Sequence, residues 1–164
     1  MSEEKAIKLL LVDDEENFVK SLAERLSLRD FEVATASDGK SAIKAAKKGK
    51  FDLAILDLRM PGMDGTEVLK ILKDKHKWLE VVMLTGYGSV DSAVEAGKLG
   101  AFGYLEKPYD FDNLVSVLKD AYTARLKKKF EHDKKRMEDI EFLSMGASPM
   151  SILTSLRRLD DEEK

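Results

Sequence analysis

The chain has 164 residues, 43% apolar and 36% charged, with 28 basic and 31 acidic residues for a net charge of −3. That suffices for one ordinary domain plus an appendage and excludes a wholly disordered chain. Without cysteine, and with only His76 and His132 as histidines, disulfides, thiolate catalysis and zinc centres of cysteine or several histidines are excluded too. The near-balanced charge gives no pull toward nucleic acid or anionic lipid, so no direct DNA binding is expected. The longest apolar run, Leu9–Val12, is too short to insert in a membrane, and the opening Met-Ser-Glu-Glu-Lys lacks the apolar stretch of a signal peptide. A cytoplasmic location is expected.

Short apolar runs alternate with amphipathic stretches five times. Strands are expected at Ile7–Val12, Phe31–Ala36, Phe51–Asp57, Val81–Thr85 and Ala101–Glu106. Three of them are nearly unbroken in apolar residues, as strands buried on both faces should be. Between them Glu15–Arg29 repeats apolar residues at helical spacing (Phe18, Val19, Leu22, Ala23, Leu26), and Ser41–Lys48, Gly65–Lys73 and Ser89–Leu99 do the same. Asp38, Asp64 and Ser89 stand where N-caps belong. Strict alternation of strand and helix predicts βαβ units, hence an α/β fold with a parallel sheet covered on both faces.

After Asp110 the strands stop. Every stretch to about Met145 is compatible with helix, because neither proline nor glycine occurs until Gly146. Leu114, Val117, Leu118 and Ala121 can close the α/β core. Beyond Tyr122 the apolar positions thin to Leu126, Phe130, Met137, Ile140 and Leu143, at loosely heptad spacing that Asp133 interrupts. Gly146, Ser148 and Pro149 mark a break before a last amphipathic stretch through Ile152, Leu153, Leu156 and Leu159. The division expected is a domain over 1–122 and a helical extension over 123–164, part of it disordered.

The residues suited to chemistry collect at strand ends. Asp13 and Asp14 follow the first strand, Asp57 ends the third, Thr85 ends the fourth, and Lys107 with Pro108 follows the fifth. In a parallel sheet these ends share one edge, where ligands bind. Three close acids repel unless a cation joins them, and hard oxygen ligands without histidine or cysteine suit Mg²⁺. Singly, each residue also has a plain reading: Asp13-Asp14 as a helix cap, Asp57 as a loop acid, Thr85-Gly86 as a turn, Lys107 as a surface lysine. Their joint order and spacing favour a site.

The segments LLLVDDE, DLRMPGMDG, TGYGS and GAFGYLEKP, in that order and spacing, resemble the receiver domain of bacterial two-component response regulators over residues 5–122. Thr85 to Pro108 is most similar to receivers attached to sigma-54-dependent activators and to related stand-alone receivers. The resemblance implies a flavodoxin-like (βα)5 fold with strand order 2-1-3-4-5. It implies that Asp57 accepts a phosphoryl group from a sensor histidine kinase or phosphotransfer protein. Mg²⁺ would be held by Asp14, Asp57 and the main-chain carbonyl of Arg59, with Asp13 acting through a water. Lys107 and the Thr85 hydroxyl would each meet a phosphoryl oxygen, the Lys107–Pro108 bond being cis. Thr85 and Tyr104 would form the switch, altering the surface of the fourth helix, fifth strand and fifth helix for partner binding or dimerisation. Bulky Arg59 and Tyr87 stand where side chains shield the phosphoryl group, implying a long lifetime.

Output is less legible. Residues 123–164 are too few for an ATPase domain, show no strand of a winged helix, and no GxxxxGK[S/T] loop occurs. The basic stretch Arg125–Arg136 reads as a solvated helix face, because Glu138, Asp139 and Glu141 follow it. Met137, Ile140, Leu143 and Met145 form a candidate face for a homodimer or partner, or for a helix folding back on the domain; the first is favoured. The main reading is a phosphoacceptor signalling module rather than an enzyme. Its alternatives are the receiver fragment of a longer sigma-54-type activator and a phosphorylation-independent interaction module. A Mg²⁺-dependent phosphohydrolase is disfavoured, since Arg59 stands where such enzymes usually carry a second acid.

Overall fold

A computed structural model describes residues 6–161. Five strands, β1 (Ile7–Val12), β2 (Phe31–Ala36), β3 (Leu53–Leu56), β4 (Glu80–Thr85) and β5 (Gly103–Glu106), form one sheet of order β2-β1-β3-β4-β5. Every pairing is parallel, with Leu9 opposite Leu53 and Leu56 opposite Met83. The expected strand order is therefore observed. Side chains alternate across the pleat. Leu9, Leu11, Leu53, Ile55, Val82 and Leu84 pack on one face with α1 (Glu16–Ser27) and α5 (Phe111–Lys129). Leu10, Val12, Ala54, Leu56, Val81 and Met83 pack on the other with α2 (Gly39–Lys48), α3 (Gly65–Lys75) and α4 (Val90–Lys98).

The caps read from sequence act as such. Asp38 accepts from the Ser41 N–H at 2.7 Å and Asp64 from the Thr66 N–H at 2.9 Å. Ser89 and Ser92 form a reciprocal capping box at the start of α4. Two strands are shorter than expected. β3 begins at Leu53, because Asp52 already turns its side chain to the Lys8 N–H, and β5 begins at Gly103.

The extension departs most from expectation. The stretch compatible with helix to about Met145 divides in two: α5 stops at Lys129, and α6 (Lys134–Leu143) starts afresh at Asp133, the residue that interrupts the apolar spacing, which caps the Arg136 N–H at 3.1 Å. After the Gly146–Ser148 break, α7 (Pro149–Asp161) packs along α5. Ile140, Leu153 and Leu156 are fully buried and Ile152 and Leu159 nearly so, in the same cluster as β1, β3 and α1. Of the four residues expected to face a partner, Met137, Ile140 and Leu143 pack into the chain's own core, and Met145 stays exposed. The helices fold back on the domain, and α5 runs without interruption through residue 122.

Candidate functional site

The carboxyl-terminal edge of the sheet is extended past the strands by backbone hydrogen bonds that fix the residues of interest. The Asp13 N–H donates to the Ala36 carbonyl (3.1 Å), the Asp57 N–H to Val12 (3.0 Å) and the Lys107 N–H to Thr85 (2.9 Å). Asp57, Asp13 and Lys107 thus inherit the rigidity of the sheet. The loop after Asp57 is closed by the Gly65 N–H on the Leu58 carbonyl at 2.8 Å. A Cβ at Gly65 would collide with the Asp57 carbonyl oxygen, so the start of α3 can lie against the site only with glycine there. Gly62, at φ +85°, turns the same loop.

Asp13 and Asp57 are buried, and Asp14 is exposed beside them. One carboxylate oxygen from each lies within 4.8 Å of the others. Asp13 is fully engaged: Oδ1 accepts from the Glu15 N–H at 2.9 Å and Oδ2 from the Lys107 ammonium at 2.7 Å. Asp57 is not. Its Oδ1 accepts from the Leu58 N–H at 2.8 Å, but its Oδ2 is buried with no hydrogen-bond partner among the described residues. Burial pushes the Asp57 carboxyl above its ordinary range and the Asp13 charge adds to this, against the opposing pull of the Thr85 hydroxyl, Lys107 and the Leu58 N–H. An unpartnered buried carboxylate oxygen among three clustered acids is the donor set a small hard divalent cation requires, so the residues fit Mg²⁺.

Lys107 follows β5, and its bond to Pro108 is cis. Its ammonium reaches Asp13 and also Glu15 Oε1 at 3.0 Å, over the Phe18 ring at 3.9 Å. Burial works against its charge, but these acids outweigh burial and hold the ammonium above its ordinary value. Thr85, fully buried, accepts the Tyr87 N–H on Oγ1 at 3.1 Å. The half-buried Tyr104 hydroxyl shares a 2.7 Å hydrogen bond with Ser92 in the first turn of α4. Arg59 lies over the Tyr87 ring at 4.9 Å, so these two bulky residues meet at the rim. The structure therefore gathers Asp13, Asp14, Asp57, Thr85 and Lys107 at one edge, with Tyr104 linked to α4. Sequence reading missed Glu15 and Phe18, which it assigned to the helix alone; their contacts with Lys107 span some 90 residues and leave no local pattern.

The response regulator receiver domain model matches residues 9–119. The regulatory protein AtoC of Escherichia coli (strain K12) is 35% identical over 126 residues, 76% of this chain and 27% of that protein. The transcriptional regulatory protein ZraR of the same organism is 41% identical over 115 residues, 70% of this chain and 26% of its own. The chain thus spans about a quarter of the length of these curated relatives. Among solved structures, the response regulator TrrA of Thermotoga maritima in complex with Mg²⁺ and BeF superposes with a TM-score of 0.65 at 35% identity, covering 70% of this chain and 98% of that one.

Proposed function

Because the chain belongs to the response regulator receiver domain family, we propose that Asp57 accepts a phosphoryl group from the histidine of a sensor kinase or phosphotransfer protein in two-component signalling. The observation that carries this is the buried, unpartnered Oδ2 of Asp57 where four strand ends converge. Oδ2 attacks phosphorus in line as the phosphorus–nitrogen bond breaks, and the histidine nitrogen leaves with the bonding electrons and takes up a proton. Asp14, Asp57 and the Arg59 carbonyl, with Asp13 through a water, would hold Mg²⁺, which when bound neutralises charge on the transferring phosphoryl oxygens.

Lys107 and Thr85 serve the product. The ammonium offers movable donors to one phosphoryl oxygen, and the Thr85 hydroxyl turns to another. Turning releases the Tyr87 N–H, which reshapes the loop into α4, while Tyr104 exchanges its Ser92 hydrogen bond for an inward position. The surface so altered carries exposed Val90, Val94 and Phe102, where a partner or a second copy docks. Arg59 stacked on Tyr87 shields the phosphoryl group, and an Arg59→Asn, Tyr87→Glu variant hydrolyses it faster. The chain's chemistry is confined to its own phosphorylation and dephosphorylation. No helix among the described residues is long and apolar enough to cross a membrane; a cytoplasmic place is inferred from meeting a kinase there. A second reading, the receiver part of a longer transcription activator, is favoured by the matches to AtoC and ZraR over a quarter of their lengths; DNA contact then belongs to other domains.

Intact-mass measurement after incubation with acetyl phosphate tests the proposal. One phosphoryl group that requires Mg²⁺ and is lost in Asp57→Asn is expected. No gain in the wild-type chain would make it a phosphorylation-independent interaction module.

A further inference from the structure

We propose that Glu15 and Phe18 form a resting seat for the Lys107 ammonium, and that Glu15 is a positioning residue governing how readily Lys107 leaves it for a phosphoryl oxygen on Asp57. This rests on Asp57 being the acceptor. The ammonium has three N–H donors; two go to Asp13 (2.7 Å) and Glu15 (3.0 Å), and the Phe18 ring lies under the charge at 3.9 Å. The ring is itself fixed edge-on against Tyr109, at 5.9 Å and 81°. Asp13, Glu15 and the Phe18 ring therefore hold the ammonium at the junction of β1 and α1. Asp57 attracts it only through space.

The consequence falls on the nucleophile. A lysine bonded to Asp57 Oδ2 would occupy the lone pair that must reach phosphorus, whereas here that oxygen has no partner among the described residues. The Asp13 contact, which Glu15→Gln leaves in place, keeps the acceptor open at rest. The seat must also release Lys107 once phosphoryl charge arrives, and its outer wall suits that. Asp13 is buried, but the Glu15 side chain is 56% exposed, so its grip is the weak one of a solvated ion pair.

The test uses the full chain with Glu15→Gln and Phe18→Leu. Glu16→Gln is the control, because Glu16 is a neighbouring exposed acid in the same turn. First, the ¹H–¹⁵N signal of the Lys107 ammonium is recorded without phosphodonor or Mg²⁺. A slowly exchanging signal in the wild type and in Glu16→Gln, with faster exchange in Glu15→Gln and Phe18→Leu, is expected. Second, the rate of phosphorylation by acetyl phosphate with Mg²⁺ is followed by intact mass. Glu15→Gln should raise it about two- to fivefold, the range of an exposed ion pair, and Glu16→Gln should leave it unchanged. An unaltered ammonium signal in Glu15→Gln would overturn the seat. Equal acceleration by both glutamines would overturn it as well, since that is the signature of general charge. Failure of every variant to be phosphorylated would overturn the acceptor reading instead, with the ammonium signal still reporting the seat.

Discussion

At the carboxyl-terminal edge of the sheet, Asp13 and Asp57 are buried beside Lys107, and one Asp57 oxygen has no partner among the described residues. At the opposite edge, acids are buried as deeply but matched. Asp52 meets Arg125 and Arg157, each at 3.0 Å, and Glu80 meets Lys128 at 2.7 Å and Lys73 at 3.3 Å. Asp160, from α7, accepts from Lys129 and from the Tyr122 hydroxyl, both at 2.7 Å. The matched partners hold the Asp160 carboxyl below its ordinary range despite burial, whereas burial prevails at Asp57. One fold therefore contains a carboxylate left reactive and carboxylates consumed in structure. The difference lies in how many cations and donors reach each, not in depth. The matched pole also explains the extension: Arg157 and Asp160 fasten α7 to α5 and to the residue preceding β3.

The sharpest way to break the comparison is to strip the matched pole. Arg157→Ala removes the 3.0 Å partner of Asp52 and a neighbour of Asp160, leaving buried acid under-compensated. A loss of about 3 kcal/mol in urea unfolding is expected, with Asp57 phosphorylation retained in the folded chain. Leu153→Ala, at a fully buried α7 position, should cost a comparable 2–4 kcal/mol by cavity formation (roughly, for a buried leucine). A loss within 0.5 kcal/mol or so, typical of surface positions, would mean that α7 does not belong to the core. Smaller effects belong to the reactive pole. Tyr104→Phe deletes one hydrogen bond to Ser92 and should cost about 0.5–1 kcal/mol, while loosening the coupling between β5 and α4 on phosphorylation. Amide chemical-shift changes around Ser92 that match wild type would argue against that coupling.

These two poles are unequally legible in the sequence. The reactive one stands at strand ends, and continuous apolar runs such as Leu9–Val12 mark those ends, so residue order and hydrophobic pattern suffice to place Asp13, Asp14, Asp57, Thr85 and Lys107 on one edge. The caps at Asp38, Asp64 and Ser89 are equally local. The matched pole is written in pairs 105 and 38 residues apart, Asp52 with Arg157 and Tyr122 with Asp160, and periodicity carries no trace of such pairs. The break at 130–133 is marked in the sequence by Asp133 alone. Residues 130–133 contain neither glycine nor proline; helix α5 ends because Phe130 turns into the core and Asp133 caps a new helix. Asp133 interrupts the apolar spacing without showing which way the next helix turns, so the apolar face of α6 reads as open to a partner rather than folded inward.

The opposed carboxyls also predict opposed pH behaviour. Asp57 is raised above the ordinary 3.8, so its contribution to stability is fully present below that value and is lost as pH rises through its folded value. Asp160 is lowered, so its contribution is present above 3.8 and is lost as pH falls through its folded value. The most direct measurement is therefore urea unfolding of Asp57→Asn and Asp160→Asn beside the wild type at neutral pH. Asp57→Asn should unfold at higher urea than the wild type, relieved of a buried charge, and Asp160→Asn at lower urea, deprived of a matched one. Both variants destabilised alike would contradict the account, because Asp57 would then be a structural acid like those at the other pole.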